Sequence, residues 1–228
     1  EMMRDLTGIG YYAGGLFTPH AAMIQPAMFV RGVADGLISN RVSLYEQSPV
    51  AGLVREGRDW VARTPGGSVA APKVVLAVNG HAESFGFFKR RLMHVFTYAS
   101  MTRALAPDEV RTLGGAPVWG LTPADPMGTT VRRISGIGGD RIVIRNRFTY
   151  DPSMEVSEAR IRAVSRDHDA SFGARFPMLA GVEMAYRWGG RLCLSRNDAP
   201  AFGEVEEGVF AACCQNGLGT SKGTAAGI

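Results

Sequence analysis

Lysine is nearly missing from this chain. Lys73, Lys89 and Lys222 are the only three, against 22 arginines among the 25 basic residues. The arginines stand singly or in pairs such as Arg90-Arg91 and Arg132-Arg133. They form no basic run and have no interleaved aromatics, so no nucleic-acid surface is expected; a coding bias accounts for arginine over lysine. Cysteine is also scarce. Cys193, Cys213 and Cys214 show no C-x-x-C spacing and cannot build a disulfide framework. The vicinal pair lies in an apolar run, where small thiols pack as hydrophobes, and a cytoplasmic location is the expectation. No apolar run nears the ~20 residues of a membrane helix, and nothing reads as a secretory signal. His20, His81, His94 and His168 lack metal-ligand spacing, so no metal site is expected. No G-x-S-x-G elbow is present, which removes the usual α/β-hydrolase. Asp125, Asp151, Glu155 and Glu158 fall in caps or solvated faces, and no carboxylate pair stands out for acid–base work.

What is present is an ordinary globular composition: 228 residues, 46% hydrophobic and 20% charged. That is enough for one large domain or two modest ones sharing a core. The opening "EMMRDLTGIGYY" reads as the interior of a protein, so a fragment is expected, with a strand-like region over 1–18. Ala27, Met28, Val30, Val33, Ala34 and Leu37 have helical spacing, ending between Gly36 and Asn40. "RVSLYEQSPVAGLVREG" alternates as a strand at Val42 and Leu44, with a second strand at Gly52–Arg55. The apolar run Val74–Val78, closed by Asn79-Gly80, predicts a buried parallel strand. Beyond Phe85, "RLMHVFTYASMTRAL" and "DRIVIRNRFTYDP" read as strands around the broken loop "GGAPVWGLTPADPMGTT". "SMEVSEARIRAVSRDHDASFG" is an amphipathic helix with a start signal at Asp151-Pro152-Ser153. A strand, "VEMAYRWGGRLCLS", then leads back to the end. The outer parts look like pieces of one α/β layer with the central part inserted.

Three glycine clusters invite a nucleotide reading. Gly8-Ile9-Gly10 precedes strand-like residues, the wrong context for a dinucleotide fingerprint. Gly136-Ile137-Gly138-Gly139 precedes a strand and reads as a hairpin turn. Only "CCQNGLGTSKG", with Gly217 and Gly219, lies between a strand and a helix. There, backbone N–H groups and a helix N-terminus would face an anion or carbonyl edge. Lys222 is either a solvated first-turn residue or a cation at that loop.

Four stretches, "GLFTPHAAMIQPAMFVRGVADGL", "VSLYEQSPVAGL", "VVLAVNGHAESF" and "RWGGRLCLSRNDAPAFGEVEEGVFAACCQNGLGTSKGTAAG", appear in an order and spacing covering nearly the whole chain. Together they resemble the D-amino-acid-oxidase-like family of FAD-dependent oxidoreductases, in particular its glutamylputrescine, glycine and sarcosine oxidase branch. The resemblance implies an α/β plus α+β fold: a split FAD-binding α/β domain with an inserted mixed β-sheet substrate domain. It lacks the family's first strand–loop–helix with G-x-G-x-x-G and the ribose-binding acid, so weak FAD binding is expected of this polypeptide by itself. The implied parts are a substrate-domain strand region (1–18), an FAD-binding part (19–84), the substrate domain (85–186) and a closing FAD-binding part (187–228). The implied activity is oxidation of the C–N bond of a small amine or amino acid by hydride transfer to flavin.

By that match, Val50 would touch the adenosine half through its backbone. Asn79 and Gly80 would lie near the dinucleotide, and Gly217, Leu218, Gly219, Thr220, Ser221 and Lys222 would line the flavin ring. Tyr98 and Thr102 would face the flavin, Trp119 would act as a lid on the broken loop, and Arg145 or Arg147 would pair with a substrate carboxylate. Asn197 stands where many members carry Asp, with Asp198 beside it. No residue of "DRIVIRNRF" matches the oxygen-activating lysine of some members, which leaves oxygen or a quinone-type acceptor open. A flavin link through Cys193 or Cys213 is a minor alternative. The partner expected is a small-molecule substrate, with no nucleic acid or membrane; the oligomeric state is left open. Two other readings stand: a folded binding domain that holds no FAD, and a 2-hydroxy-acid-oxidising flavoprotein of the same fold.

Overall fold

A computed structural model describes residues 1–39 and 41–227. The elements run α1 (Met2–Thr7), α2 (Pro26–Leu37), β1 (Gly52–Glu56), β2 (Asp59–Thr64), β3 (Gly67–Ala71), β4 (Val74–Leu76), a 3-10 segment (Asn79–Phe85) and β5 (Leu92–Thr102). There follow α3 (Pro107–Leu113), β6 (Trp119–Leu121), β7 (Thr130–Ile134), β8 (Arg141–Tyr150), α4 (Glu158–Arg175), β9 (Met184–Ser195), β10 (Ala201–Glu206), β11 (Val209–Cys213) and α5 (Gly219–Ala226). The opening residues, expected as a strand, form α1 instead, which Gly8 closes at φ 76°. The Val42–Leu44 alternation makes no strand; Val42 has only a bridge to Ser39. α2 has the expected helix, with Pro26 at its first turn and the Gln25 side chain accepting the Met28 N–H. Asn40, at the far bound of that expectation, lies outside the described residues.

The chain forms two compact units: Glu1–Met23 with Val95–Arg191, and Ile24–His94 with Leu192–Ile228. The first is built on a five-stranded sheet in the order β6-β7-β8-β5-β9. β7 and β8 form the antiparallel hairpin that Gly136–Gly139 predicted, with the Gly139 N–H on the Gly136 carbonyl. Strand side chains alternate between faces. One face carries Trp119, Val131, Ile142 and Ile144 into a core with Leu113, Phe172, Phe176 and Leu179. α4 covers that face, burying Val164, His168, Phe172 and Arg175 at helical spacing. Its cap is Ser157, whose hydroxyl accepts the Arg160 N–H, a few residues beyond the start read from the sequence. Full burial of one Ile or Leu on this face contributes about 1.5–3 kcal/mol.

Between β5 and β8 the register shifts, pairing Thr97 with Phe148 but Tyr98 with Asn146. Arg147 is the extra residue, at φ 65°. The bulge changes the phase of β8. Arg145 lies on the face opposite Ile144, while Arg147 donates to Asp167 of α4 at 2.7 Å.

The second unit holds a β1-β2-β3 meander and a three-stranded sheet, β10-β11-β4. β4 pairs parallel to β11, Val74 opposite Val209 and Leu76 opposite Ala211. The parallel strand read from the sequence is therefore present, but it ends at Leu76 and is buried on one face: Leu76 is 5% exposed and Val75 65%. The core joins Trp60, Leu76, Ala82, Val209 and Ala211 with all three cysteines. Trp60 Nε1 donates to the Glu207 carbonyl at 3.0 Å. Next to it, Gly208 has φ 80°, and a Cβ there would fall 2.7 Å from the Pro72 carbonyl oxygen, so the turn needs glycine.

Candidate functional site

In the second unit two loops leave the carboxyl ends of the adjacent parallel strands β4 and β11, the position where open α/β sheets bind ligands. The first contains Asn79 and Gly80. Asn79, at φ 50°, ties the loops together: its Oδ1 accepts the Cys214 N–H at 3.1 Å. Gly80 is buried against the His94 ring, and a Cβ there would lie 2.6 Å from Nδ1. His94 Nε2 meets Glu83 Oε2 at 2.6 Å, which fixes the ring.

The second loop is stapled by Asn216. Its Oδ1 accepts the Ser195 N–H at 2.9 Å, and its Nδ2 donates to the Asp198 carbonyl at 2.9 Å. Cys214, Asn216 and Gly217 all have left-handed backbone, at φ 53°, 52° and 83°. Asparagine and glycine tolerate that conformation; a cysteine there is strained and is held by its surroundings. The chain then turns into α5, whose first intrahelical bond runs from Lys222 N–H to the Leu218 carbonyl at 3.0 Å. The N–H groups of Gly219, Thr220 and Ser221 precede that bond and have no acceptor inside the helix. Gly217 to Ser221 are exposed and Lys222 is half-buried. A Cβ on Gly217 or Gly219 would project into open space. Donors, a helix N-terminus and one cation together suit an electron-rich ligand edge. Val50, expected at the adenosine half, is exposed just before β1.

The cysteines are interior groups. Cys213 Sγ donates to the Leu76 carbonyl at 3.0 Å, and Cys214 Sγ to Cys193 Sγ at 3.4 Å. That hydrogen bond and burial push the Cys214 thiol pKa up. All three are free and buried, a setting unsuited to the flavin link considered for Cys193 or Cys213.

In the first unit the expected substrate residues separate. Tyr98 is 1% exposed, packs with Val164 and Val156, and shares a hydrogen bond with Thr149 Oγ1 at 2.6 Å. The phase of β5 turns Tyr98, expected to face a flavin, toward Val164 of α4. Thr102 is buried as well, its hydroxyl accepting the Ile142 N–H at 3.0 Å. Trp119 is not on a loop: it begins β6, 6% exposed within the core, where it cannot serve as a lid. Arg145 alone of these four lies on the other face, half-buried, its guanidinium 5.6 Å from the Phe148 ring centroid. Its Nη2 donates to Thr130 Oγ1 at 3.3 Å, and burial lowers its pKa.

One residue on this face went unread as a site. Arg132 pairs into β7 two residues beyond Thr130, which is opposite Arg145. Its Nη1 donates to the Leu121 and Val131 carbonyls at 2.9 and 3.0 Å. Burial, and then the Arg145 charge, lower its pKa. The available signal was the alternation of "TVRRI", which puts Arg132 and Arg133 on opposite faces. Among the described residues, no group of His, Cys, Asp and Glu could hold a metal, and no helix is long and apolar enough to cross a membrane.

Two loops beyond adjacent parallel strands, with a helix N-terminus on one of them, are the arrangement of a ligand-binding α/β protein. The chain belongs to the DAO family of FAD dependent oxidoreductases, whose model matches residues 1–228. It is 24% identical over 224 residues to the probable oxidoreductase OrdL of Haemophilus influenzae, covering 96% of this chain and 49% of that protein. It is 25% identical over 202 residues to the gamma-glutamylputrescine oxidoreductase of Escherichia coli K12, covering 87% and 45%. The chain thus spans about half the length of the curated relatives it matches. In structure it is similar to glycine oxidase from Geobacillus kaustophilus, with a TM-score of 0.59 and 23% identity over 80% of this chain and 47% of that one. It is also similar to L-proline dehydrogenase from P. horikoshii, with a TM-score of 0.59 and 19% identity over 81% and 48%.

Proposed function

We propose that this chain is part of an FAD-dependent oxidoreductase that oxidises the C–N bond of a small amine or amino acid. The observation that carries the reading is the pair of loops after β4 and β11, tied by Asn79 and ending on the unsatisfied N–H groups of α5. In this reading the second unit is the split FAD-binding part and the first unit is the substrate domain. The residues fit the ring end of the cofactor. Gly219, Thr220 and Ser221 offer N–H groups to an electron-rich edge, Lys222 adds a positive charge, and Gly217 keeps the approach free of side chains. Asn79 and Gly80 line the other loop. FAD, when bound, supplies the two-electron acceptor for hydride leaving the carbon that bears the nitrogen.

Arg145 is the group in the first unit suited to orient substrate. A guanidinium fork matches a carboxylate bidentately, and its half-buried position strengthens that contact over one in bulk water. Alignment of the reacting carbon, rather than acid–base work by a side chain, is the contribution expected of the protein.

The test is anaerobic mixing of the flavin-loaded protein with amines, amino acids and 2-hydroxy acids, following bleaching of the flavin bands. Bleaching by amines or amino acids is expected; bleaching by hydroxy acids alone would overturn the substrate class. A full-length protein, carrying the portion that this chain lacks relative to its curated relatives, that is colourless and takes up no added FAD would overturn the cofactor assignment. The Gly219→Val variant, which meets no neighbour in the fold, is expected to keep its stability and lose FAD affinity.

A further inference from the structure

We propose that Arg132 and Arg145 form a two-cation subsite on the open face of the β6-β7-β8-β5-β9 sheet, and that it takes a substrate carrying two carboxylates. This rests on reading the chain as an amine or amino-acid oxidoreductase and narrows the substrate to an acidic one. The pairing register places the two residues on one face, as diagonal neighbours across β7 and β8. Diagonal pairs of that kind are within reach of long side chains. Each guanidinium is half-buried, and among the described residues no carboxylate lies within ion-pair distance of either.

Four other arginines of this unit's sheet have identified partners. Arg133 reaches Asp140, Arg147 pairs with Asp167, and Arg187 pairs with Asp169. Arg141 donates to the Gly138 and Thr102 carbonyls and lies over the Tyr186 ring. Among the described residues Arg132 and Arg145 are held by neutral groups: two carbonyls for Arg132, and the Thr130 hydroxyl and the Phe148 ring for Arg145. A guanidinium carries five N–H donors, so both keep donors to spare. Two like charges on one face and partly desolvated repel each other, and among the described residues no carboxylate compensates them. A ligand with two negative charges does so; one carboxylate leaves half of the charge unanswered.

The place for Arg132 is also built. Its side chain crosses β6 over Gly120, where a Cβ would lie 2.9 Å from Cδ and 3.1 Å from Nε. Any side chain at position 120 would push the guanidinium away from this position. A bare glycine at the centre of a strand weakens it, so its presence here marks the close approach.

The experiment is calorimetric titration of the protein with two unreactive probes of similar length, glutarate and butyrate. Calorimetry reads binding without requiring turnover. Glutarate is expected to bind at least about tenfold more tightly than butyrate, the order of one charge-assisted contact. Arg132→Met and Arg145→Met should each bring glutarate down to the butyrate level. Gly120→Ala, which keeps both charges, should weaken glutarate several-fold while leaving the unfolding midpoint within the range of a surface change. Equal affinities for the two probes, or glutarate binding untouched by Arg132→Met, would overturn the subsite. The outcomes separate from those of the function test. Amines that bleach the flavin while glutarate shows no preference sink the subsite alone. Preferential glutarate binding without flavin bleaching by any amine or amino acid sinks the amine and amino-acid substrate class and leaves the subsite standing.

Discussion

Arg132 and Arg133 are adjacent in sequence and sit in different worlds. Arg133 points into the buried face of the sheet, 2% exposed, donating to the Gly114 carbonyl and lying 3.9 Å from Asp140 Oδ1. Arg132 points to the open face, with no acid near it among the described residues. The same chemistry serves the fold on one side and is left available on the other. The difference comes from the period of a strand, since a one-residue step exchanges faces. It teaches that the unpaired charges of this sheet are a property of one face, not of an arginine-rich composition.

The sharpest way to break the comparison is with the apolar residues of the same hairpin. Ile144 is fully buried and its neighbour Val143 is half-buried. Ile144→Ala is expected to cost about 2–5 kcal/mol, the usual range for a large-to-small core change. Val143→Ala should cost about 1 kcal/mol or less, since it leaves no closed cavity. Urea unfolding of both variants measures the difference, and equal losses would mean the two faces are equally closed. Next comes the arginine pair itself. Arg133→Met leaves the Gly114 carbonyl without its donor and Asp140 without its nearby cation, and is expected to cost about 2–4 kcal/mol. Arg132→Met removes a charge that repels Arg145 and should shift stability by no more than about 0.5 kcal/mol in either direction. A large loss at Arg132 would show that its guanidinium belongs to the fold rather than to a ligand.

How much of this was legible follows the same physics. Strong local periodicity carried through: α2, α4, the β7–β8 hairpin and the parallel β4 were readable from apolar spacing and glycine turns. The opening residues were misread because Met2, Met3 and Leu6 fit either period over so short a stretch, and only the structure shows Thr7 buried and Ile9 joining the core under the sheet. Tyr98 and Trp119 were attractive as substrate residues because aromatics often are. Which face each occupies depends on register and on the bulge at Thr97/Tyr98, which long-range pairing decides. The loop after β11 was legible as a strand–glycine–helix turn, whereas its tie to Asn79 joins residues 135 positions apart. The FAD family itself was legible because its motifs are linear; the Arg132–Arg145 pairing was not, because it exists only across strands.

Two smaller changes probe the helices that close the buried face. Ser157 caps α4, and Ser157→Ala should cost about 1 kcal/mol, as loss of an N-cap usually does. The open-face probes of the two-cation subsite should bind this variant normally, because α4 covers only the other face.

The smallest effect is expected at α3, and it depends on pH. Glu109 binds Arg103 through both carboxylate oxygens, at 2.7 and 2.8 Å, and also accepts the Ala106 N–H at 2.7 Å. Those bonds, the Arg103 one first, hold its carboxyl well below the ordinary 4.5, at about 2. A depressed folded-state pKa means that stability is present in full above 4.5 and is lost as the pH falls toward 2, where the folded carboxylate also takes up its proton. Arg103 is 40% exposed, so solvent screens the pair and its contribution at neutral pH is small. Glu109→Gln should therefore lower stability slightly at neutral pH, with the gap to the parent closing as the pH falls below 4.5. Unfolding midpoints across that window measure it. A gap that stays constant down to pH 2 would mean that the Glu109 side chain supports α3 by packing rather than by charge, which would make the buried face as indifferent to ionisation as its apolar core suggests.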